Sequence, residues 1–209
     1  MIRSAQDERE RVVVEIRESS LAIVRLNRPA ERNPLSVATL EALNKAVDEL
    51  IQRSDITSII FTGTEDAFAS GADIRELAQL TPATAKDFAL RGQRLFQKIA
   101  EAKQLTIAAI NGYCMGGGLD LALACDLRCA SHDAVFAHPG ARLGIITGWG
   151  GTQRLPRLIG QARAFEIFTT AKSLTADEAL RIGMVNGIGE PVLARAVEFL
   201  QTRERQLQS

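Results

Sequence analysis

The sequence predicts an α/β fold with a single core. Three features predict it. Short apolar or β-branched runs alternate with amphipathic segments along the whole length. One segment, Gly117 to Cys125, is apolar on nearly every face. No linker, low-complexity tract or clear repeat breaks the series.

The elements follow in order. Val12-Val13-Val14-Glu15-Ile16 and Leu21-Ala22-Ile23-Val24-Arg25-Leu26 read as a hairpin turning at Glu18-Ser19-Ser20. A polar loop with two prolines, Asn27 to Pro34, leads to Ser36, a helix cap. The helix behind it carries Leu40, Leu43, Val47, Leu50 and Ile51 at helical spacing. Ile56 to Phe61, ending at Gly63, reads as a buried strand. Thr81-Pro82 opens a second helix, with proline in the first turn where its missing N–H is harmless. Leu105 to Ile110 reads as a strand, Gly117 to Cys125 as a deeply buried helix, and Leu127 to Ala130 as a short strand. A glycine-dense stretch from Gly140 to Gly151 precedes helices around residues 155–171. Thr175-Ala176-Asp177-Glu178 matches a capping box, and a final helix runs from Val192 to about Arg205 as a C-terminal appendage.

Composition narrows the function. Acidic and basic residues balance at 25 each. A nucleic-acid or anionic-membrane surface needs a basic excess, so neither partner is expected. Most basic residues are arginine, which suits a local grip on a phosphorylated ligand. No apolar run approaches the ~18–20 residues of a membrane span. The charged stretch Met1 to Arg11 lacks the apolar centre of a secretory signal. Cys114, Cys125 and Cys129 form no disulfide framework, read as small buried hydrophobes, and fit a reducing, cytoplasmic setting. A zinc site would need Cys125, Cys129 and a histidine, so metal catalysis is not expected.

Three stretches can carry chemistry. In Ala67-Phe68-Ala69-Ser70-Gly71-Ala72-Asp73-Ile74-Arg75 a strand ends in small residues and a helix begins, leaving backbone N–H groups open to an anion or a polarised carbonyl. Alone, this stretch reads as an ordinary loop. In Asn111-Gly112-Tyr113-Cys114-Met115-Gly116-Gly117-Gly118-Leu119-Asp120 a second strand ends and three glycines expose the N-terminus of the apolar helix. The spacing is neither the dinucleotide fingerprint nor a P-loop. Asp120, in the first turn, is a cap or an acid–base group. Two such junctions can converge on one carbonyl oxygen as a backbone oxyanion hole. The third stretch, His138 to Leu155, suggests a tight wall around a ligand, because Ile145, Ile146 and Trp149 suit a loop tip poorly. For His138 the favoured reading is a bond to backbone.

Taken together, Leu26-Asn27-Arg28-Pro29, Ala67 to Ile74, Asn111-Gly112 with Gly116 to Gly118, Ala124-Cys125-Asp126 and Gly150 to Leu155 resemble the crotonase superfamily, from residue 26 to about residue 190. The resemblance implies a spiral of ββα units, with residues 1–190 as an acyl-CoA-binding core and 191–209 as a C-terminal helix. It implies an acyl-CoA thioester substrate, coenzyme A entering as part of that substrate with no tightly bound cofactor, and an enolate held by the N–H groups of Ala72 and Gly117. Ala72, Asp73, Ile74 and Arg75 would line the pantetheine and phosphate path, with Arg75 a partner for a phosphate. Arg28, Ala30 and Arg32 would lie near the adenine end. Family members carry several more C-terminal helices than the one after Val192, and assemble as homo-trimers or hexamers.

Two family positions differ. Enoyl-CoA hydratases face the double bond with two glutamates; here the first position holds Asp120, as in dienoyl-CoA isomerases, and the second holds Gly140. The later acid of dienoyl-CoA isomerases corresponds to Gly148, and the aspartate of naphthoate synthases to Thr147. The expectation is therefore a hydratase or isomerase with Asp120 as the single acid–base carboxylate, helped by Thr147, His138 or water. The alternatives are an acyl-CoA decarboxylase or thioester hydrolase on the same scaffold, or an impaired acyl-CoA-binding protein. Leu77, Phe88, Leu95, Tyr113 and Trp149 are the expected lining of an acyl pocket.

Overall fold

A computed structural model describes residues 10–17 and 20–208. The turn at Glu18 and Ser19, and the charged stretch as far as residue 9, lie outside the described residues. In chain order the strands are β1 (Val12–Arg17), β2 (Leu21–Leu26), β3 (Pro34–Leu35), β4 (Ser58–Thr62), β5 (Ala67–Ala69), β6 (Gly71–Ala72), β7 (Leu105–Ile110), β8 (Tyr113–Met115), β9 (Leu127–Ala130), β10 (Val135–Ala137), β11 (Leu174–Thr175) and β12 (Gly187–Ile188). The helices are α1 (Val37–Ile51), α2 (Ile74–Leu77), α3 (Pro82–Ala100), α4 (Gly117–Ala124), α5 (Gly151–Ile159), α6 (Gln161–Thr170), α7 (Ala176–Arg181) and α8 (Val192–Gln208).

The main sheet runs β1-β2-β4-β7-β9-β12. Its first pair is the antiparallel hairpin, and the rest is parallel. The strands β4, β7 and β9 are each followed by a short strand of a second sheet, ordered β11-β10-β8-β5, and then by a helix. Three ββα turns are thus stacked side by side, with a register shift between β5 and β8, where the sequence displays no clear repeat. The units begin at residues 58, 105 and 127, so their lengths differ too much for a period to show. Strands β5, β8 and β10 are three residues each and built of Ala, Phe, Tyr, Cys, Met and Val, which is too little for a two-residue alternation to be read.

The local signals otherwise place the elements well. Ser36 accepts from the Thr39 N–H, and Thr81 and Thr175 both form capping boxes. The helices expected around 155–171 are α5 and α6. The first starts at Gly151, and Gly160, with φ of 87°, separates it from the second. Helix α8 packs on the outer face of the main sheet, burying Val192, Ala196 and Leu200 against Leu21, Ile60 and Ile107.

Between the two sheets lies α4, whose residues Gly118 to Ala124 are all buried. The buried Arg128 donates to the carbonyls of Cys125 (2.7 Å) and Met184 (2.8 Å), satisfying acceptors near the C-terminal end of α4. At the other end of the core, Asn33 holds the Arg28–Arg32 loop in place. Its Oδ1 accepts from Arg28 N (2.7 Å) and Thr64 Oγ1 (3.1 Å), and its Nδ2 donates to Ala67 O (2.8 Å). This fixes β5 and, through the β3–β6 pairing, the position of Ala72.

Asn33 also has a left-handed φ of 53°. Asn33→Ala should therefore lower the unfolding free energy by roughly 2–4 kcal/mol, combining unpaired buried groups with an alanine in that conformation. A urea midpoint that moves by less than ~0.5 kcal/mol at unchanged slope would contradict this assignment.

Candidate active site

The two strand-to-helix junctions expected to carry chemistry meet. Strand β6 ends at Ala72 and α4 begins at Gly117, and the two backbones are packed together. A Cβ at Gly71 would lie 3.2 Å from the Gly117 nitrogen, and one at Gly117 would lie 3.4 Å from the Ala72 nitrogen. Ala72 and Gly117 both line a cavity of about 240 Å³. Gly117 is the first residue of α4, so its N–H has no partner within the helix.

The rest of the wall comes from α2, α3 and the glycine-rich loop. Ile74, Leu77, Phe88, His138, Thr147 and Trp149 are on it. Of the expected acyl lining, Leu77, Phe88 and Trp149 are present. Leu95 faces the core instead, since it falls on the buried side of α3. Tyr113 stands away from the cavity, half-exposed under the Arg32 guanidinium at 4.8 Å. Ile145 and Ile146 are exposed after all, at the mouth of the cavity.

Trp149 is the wedge that shapes this space. It is buried, its Nε1 donates to Phe88 O (3.3 Å), and its ring packs against Phe88 and edge-on to Phe96. It is accommodated because Gly92 and Gly117 flank it; a Cβ on either would come within 2.4 Å of the indole. On its far side lies a larger cleft of about 1170 Å³ lined by Gln93, Arg94, Gln97, Lys98, Arg154 and Arg157 among others. Among the described residues, only Gly148 and Trp149 border both spaces.

Asp120 is fully buried in the first turn of α4 and does not itself reach the cavity wall. Two wall residues meet its carboxylate. Thr147 Oγ1 donates to Oδ2, and His138 Nε2 lies 3.4 Å from Oδ1. Burial pushes the carboxyl up to about 7. The Thr147 hydroxyl, the N–H groups of Trp149 and Gly151 and the Arg154 guanidinium act in the opposite direction. Gly151 must be glycine here, because a Cβ would sit 2.1 Å from Asp120 Oδ1. The expected backbone bond of His138 is absent. Nε2 is buried without a hydrogen-bond partner, the ring packs on Phe168 at 4.9 Å, and burial pushes the imidazole down to about 4.

Gly140, at the position of the second acid, is closed to any side chain. A Cβ there would fall 2.6 Å from Ile145 O, within a turn in which the Ile145 N–H donates to Gly140 O (3.0 Å). At Gly148 the nearest atom to a Cβ is 3.9 Å away, so that position is open.

The remaining expected residues form a charged rim beside Ile74. Arg75 bonds Asp73 (2.8 Å) and Glu31 (3.2 Å), Arg28 bonds Glu31 (2.7 Å), and Arg32 pairs with Asp66 (3.1 Å). Asp73 caps α2, and the Arg75 hydrogen bond holds its carboxyl down at about 2. Ala30 sits in the 3-10 turn between these arginines. Sequence reasoning did not find the Thr147 bond or the Trp149 wedge; both join the glycine-rich loop to distant elements, and no local pattern encodes them.

The family model described as enoyl-CoA hydratase/isomerase matches residues 16–205. The short-chain-enoyl-CoA hydratase of Clostridium acetobutylicum is 40% identical over 176 residues, covering 84% of this chain and 67% of that protein. The crotonyl-CoA hydratase of Syntrophomonas wolfei is 40% identical over 183 residues, covering 87% and 70%. Among solved structures, an enoyl-CoA hydratase from Bacillus anthracis superposes with a TM-score of 0.88 at 33% identity, covering 92% of this chain and 76% of that one.

The buried carboxyl makes a pH prediction. Its folded value of about 7 exceeds the ~3.9 of an unfolded chain, so folding takes up a proton between those limits. The associated stabilisation is complete below pH ~4 and is lost as pH rises through 7. Asp120→Asn does not titrate. Its stability relative to wild type should rise from pH ~4 to 7, by up to ~1.4 kcal/mol per pH unit, and then level off. Denaturation curves at four pH values read the difference, and a constant offset would exclude a raised Asp120 pKa.

Proposed function

The chain belongs to the enoyl-CoA hydratase/isomerase family, and on that premise we propose that it moves a proton at the α-carbon of a short acyl-CoA thioester through an enolate. The observation that carries the reading is the convergence of Ala72 and Gly117 on one wall of the cavity. A thioester oxygen placed there would accept both N–H groups. Its negative charge, developed in the transition state, would meet donors that are already oriented and, at Gly117, backed by the α4 dipole. Asp120 is the proton-holding carboxylate. A carboxyl near 7 is poised to give and take a proton at neutral pH, whereas an exposed aspartate is not.

One proton-exchanging group is enough to move a double bond, since the proton is taken from one carbon and returned to another. Hydration needs the same group to activate water and then protonate the α-carbon. Both reactions pass through the enolate, and the hydratase names of the two relatives favour hydration. The pantetheine arm would leave past Ile74. The nucleotide end would then meet the rim of Arg28, Ala30, Arg32, Asp73 and Arg75, where a phosphate would compete with Glu31 and Asp73 for the arginines.

The cavity volume and the Trp149 wall support a short acyl chain. Trp149→Leu should open the 240 Å³ space toward the cleft beyond it and raise kcat/KM for eight- to twelve-carbon enoyl thioesters at least tenfold relative to the four-carbon one. An unchanged chain-length profile in a folded variant would remove Trp149 as the limit.

Mass spectrometry of enoyl- and acyl-CoA thioesters incubated in D2O tests the reaction itself. Wild type should exchange the α-hydrogen, with or without addition of water. Asp120→Asn should lose 10²–10⁴ of the rate while keeping coenzyme A affinity. Gly117→Pro, checked for folding, should lose ~10²–10³ through its missing donor. Exchange that survives Asp120→Asn would take the carboxylate out of the mechanism, and binding without exchange would favour a non-catalytic acyl-CoA carrier.

A further inference from the structure

Asp120 is fully buried and off the cavity wall, so any proton it gives or takes must cross a neighbouring group. The structure offers two. Thr147 already donates its only hydroxyl proton to Oδ2. His138 presents Nε2, buried and without a hydrogen-bond partner, to Oδ1, which is also buried and without one, at 3.4 Å. Two buried atoms 3.4 Å apart, neither with a hydrogen-bond partner, would both be satisfied by a proton shared between them. His138 is also on the wall, two residues before the glycine that excludes the second acid.

We propose that His138 and Asp120 act as one proton-exchanging pair, in which His138 is the group that meets the substrate and Asp120 stores the charge behind it. The pair rests on the enolate reading above and supplies what Gly140 withholds. In the hydration direction it begins with a neutral imidazole and an ionised carboxylate. As the water oxygen bonds to the β-carbon, the pair takes the proton that water releases, and the π electrons move to the thioester oxygen as the enolate. The enolate then re-forms its carbonyl as the α-carbon takes the proton back from the pair. One proton enters, one leaves, and the charge of the pair returns from zero to minus one. In isomerisation the proton comes instead from the substrate's own carbon and goes back to another.

The surroundings suit this cycle. The titratable and charged groups acting on the pair are Arg154 from α5, which favours the ionised carboxylate, and the Cys114 thiol from β8, buried and neutral. Helix α6 contributes the apolar ring of Phe168. Burial disfavours the imidazole as a cation and the carboxylate as an anion, so the proton rests on Asp120 and the imidazole rests neutral, able to carry it.

The chain has two histidines, His132 and His138, so ¹⁵N-imidazole NMR can follow the pair without substrate. His138 should show a titration step shared with Asp120, and Asp120→Asn should shift that step by at least one pH unit. His138 signals indifferent both to pH between 5 and 9 and to Asp120→Asn would overturn the pair. Kinetics with a thioester that wild type turns over give the second readout. His138→Gln keeps an amide near the Nε2 position but cannot ionise, so a structural role would be rescued and a relay would not. We expect kcat to fall 10²–10⁴-fold with KM within threefold. Turnover within threefold of wild type, or a loss confined to Thr147→Val, would overturn the proposal. A wild type that turns over no thioester while the NMR coupling holds would sink the enolate reading and leave the proton-sharing pair standing.

Discussion

Helix α4 has no face left for water, and the organisation of the site follows from that constraint. A helix buried from Gly118 to Ala124 satisfies its own interior hydrogen bonds but leaves its termini short of partners. The C-terminal deficit is met by Arg128, which fans its guanidinium over the carbonyls of Ala122 and Cys125. The N-terminal deficit is met only in part, and it opens on the cavity. A helix end that cannot be closed by its own side chains, because they are glycines, is a standing donor for an external oxygen. The placement of the ligand site is thus a consequence of packing as much as of chemistry.

The same burial governs Asp120. In water an aspartate so near a helix N-terminus would stay ionised well below neutral pH. Removed from water, it is held near 7 despite a hydroxyl donor, two backbone N–H groups and a nearby guanidinium. The desolvation cost outweighs all four. Trp149 is part of the enclosure, and it fits only between two glycines that belong to α3 and α4. Glycines at 92, 117 and 151 are therefore complements of two bulky groups, the indole and the carboxylate, contributed from elsewhere in the chain.

Much of this was legible from the residues. Caps at Ser36, Thr81 and Thr175, the buried character of α4 and the two junctions at Ala72 and Gly117 are local features, and local sequence displays them. The second sheet was not legible, since strands as short as Ala67–Ala69 and Tyr113–Met115 are defined by their neighbours and not by a pattern of their own. The stretch from His138 to Gly151 was legible as a wall, but not which of its side chains turn inward. Its exposed Ile145 and Ile146, its buried Trp149 and the inward His138 follow from where the loop crosses α3 and α4. The sequence pointed to backbone as the partner of His138, and only the three-dimensional arrangement turns Nε2 toward Asp120.

Gly140 and His138 bear on the same carboxylate. Two carboxylates within a few ångströms in an apolar cavity repel each other, and one of them is forced to stay protonated. With the second acid excluded by the Ile145 carbonyl, that repulsion is gone, and burial alone must keep Asp120 from ionising too readily. An imidazole is the partner this environment tolerates. It is neutral at the pH where the carboxylate is half-ionised, and it adds no charge to be desolvated. A second carboxylate would raise Asp120 further out of the working range, while a lysine or arginine would pin it as an anion. A neutral histidine leaves the proton mobile, and His138 is the side chain the fold sets beside Oδ1.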